Sequence, residues 1–454
     1  MSSAHDLLDE TTIVAIATPA GRGGIGLVRL SGRAALQIAQ QLLPTRSEFT
    51  PRRAHYGILR ETDGTLVDDC IATYYKSPQS YTGEDVVEIA THGSPVVLAW
   101  LLRRCVALGA TPARAGEFTE RAFLLGRLDL TEAEAVRDLI DAQTLEQAKL
   151  AAEQMSGSIA AEIRPAKEAL MLLLAGMEVG IDFAEDDTPT LSAEQIAAAI
   201  QAIQEPLRTL LASFTHGRLM REGLQLAIVG KPNAGKSSLF NRLVESDRAI
   251  VTATPGTTRD VIAERMNLNG VPVELLDTAG IRDTTDEVEA IGVERSRRAI
   301  ADADAVLLVV NAADTTDAMD ALDADTTETL RGRPLIVAWN KADLRPPTIH
   351  AENHVLTSAE TGEGIAQLRD AILHIAGGDP SAAGATLTNL RQRDAVATAM
   401  EALQRAMHAA TTHTPHEMVL LDLYECLRAL DSLTGQTTAD DVLDRIFSSF
   451  CIGK

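Results

Sequence analysis

Aromatic side chains are scarce in this chain: two Trp, five Tyr and eight Phe are only 3% of 454 residues. Any local concentration of them therefore signals packing. Cysteine is rarer still. Cys70, Cys105, Cys426 and Cys451 are scattered with no C-x-x-C spacing, which argues against a zinc site and a disulfide framework. No segment approaches the ~20 apolar residues of a membrane helix. The longest apolar stretch, Ala169 to Val179, is interrupted by Gly176 and Glu178. The N-terminus lacks the basic start and apolar core of a signal peptide, so a soluble cytoplasmic protein with no membrane association is expected. Positive charge is in deficit: 41 Lys and Arg against 64 Asp and Glu give −23. Bulk charge thus disfavours non-specific nucleic-acid binding. Arg52-Arg53, Arg103-Arg104 and Arg295-Arg297-Arg298 are local basic candidates, and solvated helix faces explain them equally simply.

What is present begins with Gly230-Lys231-Pro232-Asn233-Ala234-Gly235-Lys236-Ser237, which fits G-x-x-x-x-G-K-S without a mismatch. Leu224 to Val229 before it reads as a buried strand, and Ser238 to Leu243 after it as a helix, the context such a loop requires. Its glycines let backbone N–H groups wrap a phosphate at a helix N-terminus. Lys236 is placed to reach the β- and γ-phosphates and Ser237 to bind Mg²⁺; Asn233, Ala234, Gly235 and Ser238 complete the loop. Asp277-Thr278-Ala279-Gly280 closes a second strand, Val271 to Leu276. Asn340-Lys341-Ala342-Asp343 ends a third, Pro334 to Trp339, where the Asp343 carboxylate suits the N1 and N2 donors of guanine. Thr357-Ser358-Ala359 stands at the last base loop, and Gly256-Thr257-Thr258-Arg259-Asp260 reads as a switch loop with a hydroxyl for Mg²⁺. In this order the motifs specify GTP binding.

One position departs from the Ras-like pattern. Ile281 stands where many GTPases carry the glutamine that orients the attacking water. Asp286, Glu287 and Glu289 follow, and any of them could act through a bridging water. Asn233 suggests a second device, a K⁺ ion bound by its side-chain oxygen together with the carbonyls of Thr252 and Thr254. Such an ion would neutralise charge between the phosphates, as an arginine finger does elsewhere.

The texture divides the chain. Residues 1–125 mix β-like runs (Thr12 to Ala17, Ile25 to Leu30, Ile71 to Tyr75, Val86 to Ala90) with a helix, Val96 to Leu108, and read as an α+β domain. Gly21-Arg22-Gly23-Gly24-Ile25-Gly26 matches G-x-G-x-x-G, but a strand rather than a helix follows it, so NAD binding is rejected. Tyr81 to Glu88 and Gly116 to Phe123 look like loops forming a small-molecule site. Residues 126–222 read as helical, with capping boxes at Thr131/Glu134 and Ser192/Gln195, Pro165 in the first turn of a helix, and the last helix running toward Arg221. The GTPase segment is 223–377, with Asn311 to Leu330 as an acidic surface helix, and Gly377 to Ser381 is a linker. Residues 378–454 return to helix, ending near Phe447. The expected architecture is multidomain: an α+β N-terminal domain, an all-α domain from two chain segments, and an inserted Ras-like α/β phosphate-loop domain. The tail Phe447-Ser448-Ser449-Phe450-Cys451-Ile452-Gly453-Lys454 is apolar enough to pack, and Cys451 is a candidate nucleophilic thiol. Its final Lys and the lack of a polybasic run argue against prenylation.

Ala17-Thr18-Pro19 with Gly21 to Gly26, Thr82-Gly83-Glu84-Asp85, Gly116-Glu117-Phe118, Arg121-Ala122-Phe123, Gly230 to Ser237, Gly256 to Asp260 and the terminal Cys451-Ile452-Gly453-Lys454 together resemble the MnmE (TrmE) family of bacterial tRNA-modification GTPases, across the whole chain. The resemblance implies installation of a carboxymethylaminomethyl or aminomethyl group at C5 of the wobble uridine of certain tRNAs. It implies the FAD protein MnmG (GidA) as partner in a heterotetramer, and a tetrahydrofolate derivative (5-formyl- or 5,10-methylene-) bound by an N-terminal domain that also mediates homodimerisation. Folate contacts map onto Arg29, Glu88, Arg127 and Lys454; Arg127 departs from the family's lysine, and a guanidinium meets a carboxylate with different reach. K⁺ ligands map onto Asn233, Thr252, Thr254 and Thr257, Mg²⁺ ligands onto Ser237 and Thr258, and the water-orienting acid onto Glu289. Cys451 matches the terminal cysteine. In the family, K⁺ draws two GTPase domains together and promotes hydrolysis. The competing expectation is a regulatory or ribosome-assembly GTPase without modification activity.

Overall fold

The computed structural model describes residues 11–43, 48–182, 191–245, 263–277, 303–313, 327–328, 330, 333–344, 353–375, 385–412, 414–437 and 440–453. The chain divides into two compact units, Met1–Arg137 with Asp431–Lys454, and Asp138–Leu430.

The first unit is built on a six-stranded sheet of order β3-β4-β5-β2-β1-β6. Its strands are β1 (Ile13–Ile16), β2 (Gly23–Ser31), β3 (Ala54–Arg60), β4 (Leu66–Tyr75), β5 (Val86–Gly93) and β6 (Thr111–Pro112). Neighbours pair antiparallel except β1 with β6. Alternation along β1 decides which side each residue serves. Val14, Val28 and Leu30 point to a core shared with α1 (Ala35–Leu42) and α2 (Pro95–Ala107), while Ile13 and Ala15 pack with Phe118 and Tyr81 on the other side. Gly21 to Gly26 indeed runs into β2, not into a helix. Helix α1, with Ala35, Ile38, Ala39 and Leu42 buried at helical spacing, and strands β3 and β6 add to the elements expected from the sequence. Gly116 to Phe123, expected as a loop, instead enters helix α3 (Glu117–Leu124), with Phe118 and Ala122 buried. Arg52-Arg53 lie in a turn before β3, not on a helix.

Helix α4 (Leu130–Asp141) is capped by Asp129 rather than by the Thr131/Glu134 pair. Asp129 Oδ1 accepts from Glu132 N at 2.8 Å and Glu132 Oε2 accepts from Asp129 N at 2.7 Å, a capping box two residues earlier. Thr131 and Glu134 are helical and buried. The tail returns to this unit through α13 (Asp440–Phe447), whose Phe447, with Phe450, packs on Leu130, Ala133 and Val136. The expectation that the aromatic tail packs therefore holds.

The second unit carries a sheet of order β12-β11-β10-β7-β9-β8. The strands are β7 (Leu224–Val229), β8 (Ala263–Leu268), β9 (Val271–Asp277), β10 (Ala305–Asn311), β11 (Leu335–Asn340) and β12 (His354–Leu356), all parallel except that β8 runs antiparallel to β9. Both faces are covered at the centre, so β10 and β11 are apolar and buried almost throughout. Leu226 and Ile228 pack with α9 (Lys236–Glu245) and α10 (Ile365–Ile375), and Ala227 and Val229 pack with Val306, Leu308 and Trp339 on the other side. Around the sheet's flanking segments lie α5 (Leu145–Met155), α6 (Ser158–Asp182), α7 (Ala193–Ala212), α8 (Phe214–Glu222), α11 (Leu390–Thr411) and α12 (His416–Thr434), the last crossing the boundary between units. Helix α7 packs on both α6 and α11. The Ser192/Gln195 capping box is present, but the helix it starts is interrupted at Ser213 before α8. Pro165 lies well inside α6, not in its first turn; burial of Ile159, Ile163, Leu170 and Met177 carries the helix through the missing N–H. The expected acidic helix and linker fall almost entirely outside the described residues.

Candidate functional site

Two sites emerge, one in each unit. The first lies where β7 ends. The chain leaves β7 toward β9 on one side and returns to β10 on the other, the crossover at which open α/β sheets bind ligands. Gly230 turns there with φ +148 against the backbone carbonyl of Val309, and Gly235 with φ +89 against the Asn340 side chain. Neither position admits a β-carbon, so the chain stays thin where a phosphate must approach. Asn233 takes a left-handed φ of +64. Lys236 Nζ donates to the carbonyls of Gly230 at 2.8 Å and Lys231 at 3.0 Å, which folds the lysine over the loop. Ser237 stands exposed in the first turn of α9.

The third motif closes on the first. Asn340 Nδ2 donates to the Ala234 carbonyl at 3.0 Å, and its Oδ1 accepts from Ala359 N at 3.1 Å. Lys341 Nζ donates to the Asn233 carbonyl at 2.9 Å. One buried asparagine thus braces phosphate loop and last base loop together, with Asp343 exposed beside it. Ser358 is buried; its Oγ accepts from Thr361 N at 3.1 Å, and its N–H donates to the Glu363 carbonyl at 2.9 Å. Asp277 ends β9 beside Ile228. Thr252, Thr254, Thr257, Thr258, Thr278, Ala279, Gly280, Ile281 and Glu289 lie outside the described residues.

The second site centres on Arg29. It stands directly across from Glu88 on the antiparallel partner strand. Nε donates to Glu88 Oε1 at 2.9 Å, and a second nitrogen lies 2.8 Å from the same oxygen. The guanidinium carbon sits 5.2 Å from the Tyr81 ring centroid and 5.7 Å from that of Phe118, within cation–π range. Burial pushes the Tyr81 hydroxyl's pKa up. Tyr81 is held by its hydroxyl against Thr119 Oγ1 at 2.8 Å. Arg127 is exposed, its stem against Gly83.

The tail supplies the remaining wall. Ala115 bridges Ile452, Gly116 N donates to the Cys451 carbonyl at 3.4 Å, and Arg29 reaches the Gly453 carbonyl at 3.5 Å. Gly453 has φ +98, and a β-carbon there would lie 2.5 Å from the Ile16 carbonyl oxygen. Lys454 lies outside the described residues. Beneath the site, buried Arg121 ties Glu84, Glu117 and the Thr11 carbonyl together at 2.9–3.1 Å. Cys451 is exposed, whereas burial pushes the thiols of Cys70, Cys105 and Cys426 up to about 12, out of reach of nucleophilic chemistry at neutral pH. Farther along the same sheet, Asp68 Oδ1 lies 2.7 Å from His92 Nδ1. That hydrogen bond raises the His92 pKa. Burial opposes ionisation of Asp68, but the His92 hydrogen bonds outweigh it and hold its pKa low.

A family model for the GTP-binding protein TrmE N-terminus matches residues 12–127, and one for the MnmE helical domain matches residues 130–451. A tRNA modification GTPase MnmE from Koribacter versatilis is 50% identical over 453 residues, covering 98% of this chain and 99% of its own. The chain belongs to the MnmE family of tRNA modification GTPases. The Aquifex aeolicus MnmE is 43% identical (97% of this chain, 99% of its own), and that of Chromohalobacter salexigens is 42% identical over the full length of both. As an MnmE-family member the chain is a GTP hydrolase, which agrees with the motif-bearing loops at the end of β7. No helix among the described residues is long and apolar enough to cross a membrane.

The MnmE resemblance pointed to Arg29 and Glu88, and the structure brings them together. Tyr81 and Phe118 lie in the two segments expected to form a small-molecule site, and the structure sets both rings against Arg29; the Gly453 carbonyl has no side-chain signal in the sequence.

Proposed function

We propose that the protein hydrolyses GTP at the loop after β7 and, in its first unit, binds a tetrahydrofolate derivative (5-formyl- or 5,10-methylene-) as one-carbon donor for modification of C5 of the wobble uridine of certain tRNAs. The observation that carries the second part is Arg29, paired with Glu88 between two aromatic faces and closed by the tail. A flat, polar heterocycle with an anionic arm suits that combination. Aromatic rings and the guanidinium offer stacking, Glu88 Oε2 has accepting capacity beyond a 3.5 Å contact with Tyr75, and Arg127 offers charge to a glutamate arm. Lys454 is assigned to the same ligand.

In the GTPase, Lys236 with Asn233 to Ser238 holds the phosphates, Asn340, Lys341, Asp343, Ser358 and Ala359 form the base side, and Asp277 to Gly280 with Thr258 flank the metal. Ser237 and Thr258 are the Mg²⁺ ligands. Asn233, Thr252, Thr254 and Thr257 are the K⁺ ligands; the Asn233 side chain is exposed on a left-handed turn and makes no hydrogen bond among the described residues. These cations supply charge neutralisation between the phosphates. Glu289 orients water. Cys451 is assigned a role in the modification step. Rates of hydrolysis in K⁺ and Na⁺ should differ strongly, and equal rates would remove the K⁺ assignment.

The same reading places the protein in the cytoplasm as a homodimer that assembles with MnmG into a heterotetramer and acts on tRNA. Its domains are 1–125, a helical domain from 126–222 and 378–454, and an inserted GTPase domain, 223–377. Packing of α7 on α11, from opposite sides of the GTPase segment, supports the insertion. The deciding experiment is titration with 5-formyltetrahydrofolate. Saturable binding that weakens in Arg29→Ala is expected; absence of binding would favour a regulatory GTPase without modification activity.

A further inference from the structure

The hairpin β8–β9 has two ends with different duties. At its open end the sequence runs into Gly256 to Asp260 on one side and Asp277 to Gly280 on the other, so both switch motifs of the GTPase are joined to it. Its closed end is the turn Asn269-Gly270, with φ +50 and +96. Seven residues of β9 separate the ends, roughly 20 Å at ~3.3 Å per residue.

The closed end is fastened to the helical segment through the cap of α5. Thr144 is the N-cap and Gln147 the third helical residue, and each satisfies the other in a capping box. Each also has one polar group that the helix does not use. Thr144 Oγ1 accepts from Gln147 N at 3.1 Å and donates to the Gly270 carbonyl at 2.7 Å. Gln147 Oε1 accepts from Gln143 N and Thr144 N, while its Nε2 donates to the carbonyls of Met220 at 2.8 Å and Arg221 at 3.1 Å. Those carbonyls end α8, immediately before β7 and the phosphate loop. The contact is close: a β-carbon on Gly270 would come 2.6 Å from Glu146 Cγ, and one on Gly223 would come 2.7 Å from the Pro272 carbonyl. Both capping residues are buried, so losing either outward bond leaves a carbonyl without its donor.

We propose that this doubly used cap is the joint through which nucleotide state reaches the helical segment. Thr144 and Gln147 are positioning residues: they touch neither nucleotide nor reacting atoms, but hold the far end of the strand pair that carries both switches. Switch segments rearrange when the γ-phosphate is lost. A hairpin held at its turn transmits that change as force on α5 and the end of α8, because the hairpin turn and the end of α8 are both hydrogen-bonded to the first turn of α5. By linkage, the helical segment acts back on the GTPase through the same bonds. The inference rests on the GTP-site reading above.

The cap and the joint can be separated chemically. Thr144→Asp keeps an N-cap acceptor for Gln147 N but has no proton for the Gly270 carbonyl. Gln147→Glu keeps the capping box but cannot donate to Met220 or Arg221. Thr144→Ser keeps every bond. Hydrogen exchange of the α5 amides in the full-length protein, bound to GDP or to a non-hydrolysable GTP analogue, reads the coupling, with nucleotide affinity measured alongside. In the wild type and in Thr144→Ser, exchange is expected to differ about 5-fold between the two nucleotides, the low end of ordinary coupling. In Thr144→Asp and Gln147→Glu the ratio falls toward one while both nucleotides still bind. A ratio unchanged in both variants, or no nucleotide dependence in a wild type that binds both, overturns the joint. Failure to bind nucleotide at all would remove the GTP site and the joint together.

Discussion

The loop after β7 and the site around Arg29 do their work with different material. The first is mostly backbone: turning glycines, carbonyls that restrain Lys236 and Lys341, and Asn340 bridging two loops. The second is mostly side chain: an ion pair, two aromatic faces and a tail carbonyl, brought from segments as far apart as Arg29 and Gly453. A backbone site needs particular residues at fixed spacing, because the φ values and close approaches at Gly230 and Gly235 admit only glycine. A side-chain site needs only that suitable groups converge, which many spacings allow.

The comparison predicts which changes break one site and spare the other. Lys236→Ala removes the lysine folded over the loop and should lower GTP hydrolysis roughly 100-fold, about 3 kcal/mol, the upper range for hydrogen bonds to a charged group. Folate binding should be untouched; a matching loss there would show the two sites to be inseparable. Gly453→Ala meets the left-handed φ and the Ile16 carbonyl at once, a strain of about 1–3 kcal/mol. It should weaken 5-formyltetrahydrofolate by about tenfold while the rate of GTP hydrolysis holds. Unchanged folate affinity would mean that the tail is not a wall of the site.

The smallest effect tests the first unit away from its site. The His92 pKa is raised by the hydrogen bond to Asp68. Protonated His92 therefore stabilises the fold below its ordinary value of 6.5, and that contribution is lost as pH rises through the higher folded value. His92 is exposed, so solvent screens the pair. His92→Asn should lower Tm slightly in mild acid and not at all in mild alkali. The opposite pH order would exclude the pairing.

How far each region was legible follows from the same physics. The strands β7, β9 and β11 and helix α9 were readable because apolar runs end at motif residues. Ser192/Gln195 was readable as a cap because both halves are local. Thr131/Glu134 was not, since Asp129/Glu132 offers the same spacing two residues earlier and the burial of Thr131 and Glu134 decided between them. Pro165 looked like a helix start because propensity is local, while the packing that carries α6 through it is not. Helix α3 looks like a loop because its first turn is mostly polar; Arg121 is buried there because Glu84 and Thr11 meet it from other segments, and it in turn pairs with Glu117.

The chain's own order of residues thus determined a GTPase-type loop, the absence of a membrane-length apolar run and the alternation of its strands, because each depends on spacing of a few residues. Tertiary structure alone decided that Arg29 lies between Tyr81 and Phe118, that Gly453 closes over it, and that the cap of α5 reaches the turn at Gly270. Those contacts join residues far apart in the chain. They exist because burying apolar surface brings the segments together and leaves their polar groups to find one another.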